Sequence, residues 1–275
     1  MSFKRWLVAA LLVAVAWADP EPVDPVTYRQ VERNGGTDIY IFNRLGCDMT
    51  VTIEFTENQN VRGTPPIPCS KTVPGHQEVF MTRVTSIDPR QAWKFRYSYF
   101  WNYGSLEAHH DDSVVYSLPY ASGSSMSIIQ GFHGQFSHTG DDEYALDFSF
   151  ASGTPVLAAR EGVVVSVEER YSQGGATPYF RTRVNAVRIR HSDGTIGEYD
   201  HFRLNGVEVE EGQTVRRGDL IGYSGSTGFS SGPHLHFCVY STYDGHRRHS
   251  YPIRFQVAGS PAPVELQQGG RYAAP

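Results

Sequence analysis

The sequence predicts an all-β protein, with an N-terminal β-sandwich-like domain followed by a compact antiparallel β domain. Three observations carry this. Gly 27, Pro 16, Tyr 16 and Phe 15 among 275 residues give turn formers and β formers in high number. Apolar residues alternate in short runs, as on half-buried strands. No stretch beyond the N-terminal leader keeps a helical period over a useful length. Hydrophobic residues at 40% and charged residues at 19% exclude disorder or coiled coil for the bulk. A net charge of −5 argues against an electrostatic nucleic-acid binder.

The chain opens with MSFKRWLVAALLVAVAWADP. Lys4 and Arg5 precede a short apolar run, and Ala16-Trp17-Ala18 is a small-x-small cleavage site, so residues 1–18 read as an export signal. The run is too short to favour an uncleaved anchor. Removal of Lys4 and Arg5 takes 24 basic residues to 22 against 29 acidic, a net charge of −7. Export to the periplasm or the exterior permits disulfides. Cys47 and Cys69 share one segment and form the expected pair, which leaves Cys238 as a buried thiol.

Residues 19–26, DPEPVDPV, read as an extended linker. Residues 27–120 form the sandwich-like domain. Within it Met49, Val51, Ile53 and Phe55 share one strand face. Trp93, Phe95, Tyr97, Tyr99, Trp101 and Tyr103 do the same, either as a buried sandwich face or as a carbohydrate platform. From Gly123 onward short β runs alternate with glycine turns, and Asp193-Gly194 marks a hairpin. Residues 259–275 read as a flexible tail.

The chemistry-bearing residues are His138, Asp147, His201, His234 and His236. His234 and His236 in PHLHF stand two apart, which on a strand puts both on one face. Asp147 lies in YALDF. His201 lies in GEYDHF, where Tyr199 is expected on its face. Three N/O ligands with a position left open suit a catalytic zinc. The pair His109-His110 with Asp111-Asp112 reads as a solvated loop, since neighbours on an extended chain point apart. His191 is expected to be exposed beside its hairpin, and His133 to be a bystander.

GTPVLAAREGVV, NAVRIRHSDGTIGEYDHF and VEVEEGQTVRRGDLIGYSGSTGFSSGPHLHF together resemble the catalytic domain of the lysostaphin/LytM-type zinc metalloendopeptidases, over about residues 123–245. The resemblance implies a zinc metallopeptidase domain at 121–258, with the metal in a groove. It implies metal ligands His138, Asp147 and His236, catalytic histidines His201 and His234, and zinc as cofactor. Activity follows as hydrolysis of peptide crosslinks of peptidoglycan by zinc-activated water.

Two departures stand out. The family usually has three residues between its first two ligands, a spacing that Asp142 satisfies and Asp147 does not. The downstream frame favours Asp147, six residues before Gly153-Thr154-Pro155-Val156. Cys238 stands two beyond His236, where the family often has Glu. The alternative function is a non-catalytic peptidoglycan-binding relative that activates or positions other hydrolases. A lipoyl or biotin carrier fails, because no Lys follows Lys94.

Overall fold

The computed structural model describes residues 19–275. The export signal expected at 1–18 lies outside them. Among the described residues there is no α-helix, only two 3₁₀ turns at Gly140–Asp142 and Pro178–Phe180. Among the described residues no helix is long and apolar enough to cross a membrane.

The N-terminal half holds two antiparallel sheets. One orders its strands Val26–Arg33, Gly36–Asn43, Glu78–Ser86 and Val61–Thr64; the other orders Cys69–Val73, Met49–Gln59 and Lys94–Tyr103. Ile39, Ile41, Met81 and Val84 from the first meet Met49, Val51 and Ile53 from the second in one apolar cluster. Alternation supplies these residues, as it should for a strand with one face in a core. Thr50 and Thr52, on the other face of the Met49–Gln59 strand, are buried as well. The reason is contact with the C-terminal half. The Gly245 amide donates to Thr52 Oγ1 (2.7 Å), and Asn102 donates to the Asp244 carbonyl (3.0 Å). A Cβ at Gly245 would stand 2.2 Å from the Phe100 carbonyl oxygen, so only glycine permits this approach.

The C-terminal half is built on a nine-stranded sheet. Its order runs Thr214–Val215, Gly162–Glu168, Ala186–Arg190, Ile196–Asp200, Leu235–Thr242, Leu146–Phe148, Ser125–Gln130 and Arg271–Ala273, with Arg248–Ser250 paired to Leu235–Thr242. One face carries Leu146, Phe148, Val187, Ile189, Tyr199, Phe237 and Val239 into the main core. Ile196, Cys238 and Tyr240 project from the other face into the cluster of the N-terminal sheets. The sandwich-like half therefore shares a core with one face of this sheet instead of closing on its own.

Two expectations are corrected here. The segment 259–275 is not a flexible tail. Arg271–Ala273 pairs with Ser125–Gln130, Leu266 is 1% exposed, and Ala274 is buried. Its few apolar residues complete the main core, a task that low local complexity does not reveal. The Cys47–Cys69 disulfide is absent, and all three cysteines are free thiols. Cys69 is the direct partner of Ile53, whereas Cys47 precedes Met49, the partner of Val73. The paired stretch Met49–Ile53 spans four residue steps, roughly 13 Å along a strand, and Cys47 lies beyond its Met49 end while Cys69 stands at the other. A disulfide needs Cα atoms within about 7 Å.

Candidate metal centre

The site forms where the polar face of the large sheet emerges from beneath the N-terminal half. Asp147 is the direct cross-strand partner of His236, and Asp200 is the partner of His236 on its other side. Residues directly opposite in an antiparallel ladder share a face. Leu146 and Phe148 point the other way into the core and fix Asp147 on a rigid strand. His138 arrives from the loop after Ser125–Gln130 and is fully buried.

His138, Asp147 and His236 come together with one ligand atom each, all within 4.8 Å of one another. His138 Nε2 lies 3.2 Å from Asp147 Oδ1, and His236 Nδ1 lies 2.9 Å from the same oxygen. Asp142 lines the same groove but is outside this group: its carboxylate is paired with Arg248. Cys238 is not part of the group. It is fully buried opposite Glu198, and burial pushes its thiol up.

Three histidines share one device. His138 Nδ1 faces the Gly131 carbonyl at 2.9 Å, His201 Nδ1 the Thr227 carbonyl at 2.7 Å, and His234 Nδ1 the Gly232 carbonyl at 2.8 Å. A carbonyl only accepts, so each Nδ1 carries a proton, which leaves Nε2 of neutral His201 and His234 with its lone pair. Backbone carbonyls thereby fix ring orientation and tautomer, the usual support for metal-ligating or basic imidazoles. His201 and His234 lie ring to ring at 4.4 Å, and His234 Nε2 is 3.8 Å from Asp147 Oδ1.

His201 breaks the strand expectation. Its φ of 72° ends the alternation of Ile196–Asp200, so it lines the groove while Tyr199 is buried in the core, its hydroxyl accepting from the Ala159 amide. The glycine-rich turn before PHLHF delivers the Thr227 carbonyl, and Gly228 takes a φ of +79° in it. A side chain there would be strained.

The electrostatics suit a cation. Burial disfavours the Asp147 carboxylate, but hydrogen bonds from His138 and His236 hold it well below the usual carboxylate range. Burial opposes charge on His236, yet Asp147 outweighs it and raises the imidazole to about 9. A bound metal would displace that proton. Burial first, and then His234 and His236, lower His201 to about 3.

Sequence reasoning missed the support beneath the site. Glu198 accepts from Arg188 Nε (2.5 Å) and Arg248 (2.7 Å), and Arg248 also holds Asp142 in the segment between the ligands His138 and Asp147. Arg188 stacks over Tyr103 of the N-terminal half at 4.6 Å. Glu198 and Asp200 alternating with Gly197 and Tyr199 was the available signal: two acids on one face of a buried strand need partners. Gln130 was also missed. Its amide donates to Ser137 Oγ (2.7 Å) and approaches Asp147 Oδ2 (3.5 Å). His191 is corrected from exposed to buried, at 1% exposure. His110 is half-buried and stacks on Tyr251 at 4.4 Å, so its loop is less solvated than expected. His133 is exposed beside Glu143, away from the ligand group.

Residues 141–249 match the model of peptidase family M23. The chain carries an M23 domain. It is 42% identical over 92 residues to an uncharacterized metalloprotease of Haemophilus influenzae, covering 34% of this chain and 17% of that protein. It is 35% identical over 98 residues to the glycyl-glycine endopeptidase ALE-1 of Staphylococcus capitis, covering 36% and 24%. It is 39% identical over 100 residues to the DD-carboxypeptidase/endopeptidase Mpg of Neisseria meningitidis, covering 36% and 19%. The matched part thus spans about a fifth of the length of these relatives. The lysostaphin catalytic domain of Staphylococcus simulans aligns at 26% identity and a TM-score of 0.33, over 46% of this chain and 87% of that one. The matched region lies in the C-terminal half and includes Asp147 and His236, while His138 stands three residues before it.

Proposed function

We propose that the chain is an exported zinc endopeptidase that hydrolyses peptide crosslinks of bacterial peptidoglycan. One observation carries this reading most: His138, Asp147 and His236 bring one ligand atom each within 4.8 Å of one another, beside a groove lined by His201 and His234, each pinned through Nδ1–H. The relatives named as endopeptidases supply the substrate class.

His138 Nε2, Asp147 Oδ1 and His236 Nδ1 would hold the metal, and two imidazoles with one carboxylate are a donor set that suits zinc with a position left open. Zinc, when bound, supplies an acidic water and polarises the scissile carbonyl. His201, uncharged at neutral pH, accepts a proton at Nε2. The adjacent His234 opposes charge on His201, so His201 can return that proton to the leaving amine. Burial of both rings excludes bulk water from the proton path. A degenerate, merely binding relative would have no need of this full set.

The test is purified protein on isolated sacculi, with and without chelator, with products read by mass spectrometry. New amino termini that vanish with chelator and return with zinc support the reading; intact crosslinks in both conditions overturn it.

A further inference from the structure

The groove beside the metal centre has a volume of about 610 Å³. Two of its acids are committed: Asp142 to Arg248, and Asp147 to the ligand group. Asp200 stands beside His236, with one carboxyl oxygen buried and unpartnered. Its one arginine, Arg181, is not committed.

Arg181 and Arg183 follow the 3₁₀ turn Pro178–Phe180 and behave differently. Arg183 is buried, pairs with Glu21 at 2.5 Å, donates to the Tyr179 carbonyl at 3.0 Å and stacks over the Tyr179 ring at 4.0 Å. Arg181 lines the groove and forms no ion pair among the described residues. Its guanidinium lies 4.5 Å from the centre of the Phe229 ring. Phe229 in turn stacks on Phe136, with centres 5.9 Å apart and planes 15° apart. Phe136 belongs to the segment leading to His138, and Phe229 to the segment leading to His234. Two rings from opposite ligand-bearing segments therefore meet at the groove, and one of them, Phe229, lies against the guanidinium. Stacking restrains the plane of the guanidinium while leaving its edge donors free, which is the geometry for a carboxylate held by two parallel bonds. Part of the ordering cost of binding is already met.

We propose that Arg181 anchors a free carboxylate on the residue next to the scissile bond. The groove would then select acidic stem peptides, such as diaminopimelate crosslinks, over oligoglycine bridges. This specificity rests on the peptidase reading above.

Binding separates the two. In a His201→Ala background, with zinc content confirmed, three peptides are compared: a diaminopimelate-containing crosslink with its carboxylate free, the same peptide amidated there, and a pentaglycine peptide. The free acid should bind about 10–100-fold more tightly than the amide. Adding Arg181→Gln should collapse that preference to near one without changing zinc content, and Arg181→Lys should restore only part of it. Equal binding of acid and amide, an equal loss on both with Arg181→Gln, or no measurable binding of the acid would overturn the anchor. If acid and amide are discriminated but the unmutated protein cuts neither, the anchor stands and the peptidase reading falls.

Discussion

Asp147 and His236 are direct cross-strand partners, and their side chains meet with Oδ1 2.9 Å from Nδ1. Both strands are rigid and both backs are in the main core, so the pair is positioned before any metal arrives. Asp142 sits at the shorter spacing from His138, but in a 3₁₀ turn with its carboxylate on Arg248. Asp147→Ala should therefore lose zinc and all hydrolysis. Asp142→Ala should keep zinc and lose about 1.5–3 kcal/mol of stability, the worth of a hydrogen bond to a charged group. Metal analysis and thermal melts on both variants check this; zinc loss with Asp142→Ala alone would shift the ligand set.

Much of this arrangement is legible in the chain. Alternation around Asp147 and the His234/His236 spacing report strand faces, and the faces bring the ligands together. His201 is different. Its motif is visible, but its φ of 72° is not, because the turn that captures its Nδ1–H comes from Thr227, 26 residues on. The shared core of the two halves escapes for a related reason. Thr52 looks like part of a solvent face and is buried by a contact nearly 200 residues away, at Gly245. Arg271–Ala273 is likewise a strand only because Ser125–Gln130 offers it an edge.

His191 gives a pH dependence. It is buried, and Nδ1–H donates to the Glu161 carbonyl at 2.8 Å, while Nε2 is buried without a partner. Burial lowers its pKa to about 4, below the usual His value of about 6.5. Between those values the unfolded chain binds the proton and the folded chain does not, so stability falls as pH falls, by at most about 1.4 kcal/mol per unit. Denaturant melts from pH 7 to pH 4 should show this slope, and His191→Gln should flatten it. An unchanged slope in the variant would rule out His191 as its source.

The cysteines give a redox prediction. With Cys47 and Cys69 at opposite ends of one strand pair, reductant should not change the melting temperature. Alkylation after denaturation without reductant should add three labels, one for each free thiol. Only one label, with a Cys47–Cys69 peptide in the digest, would contradict the register of the two strands.

The central claim is a division of labour, in which His236 holds the metal and His201 moves the proton. It is tested most directly by measuring zinc content and sacculus hydrolysis on one preparation each of His236→Ala and His201→Ala. The account predicts that His236→Ala loses both zinc and activity, whereas His201→Ala keeps near-stoichiometric zinc and loses at least about 100-fold in turnover. Zinc loss in His201→Ala as complete as in His236→Ala, or activity retained without His201, would contradict it.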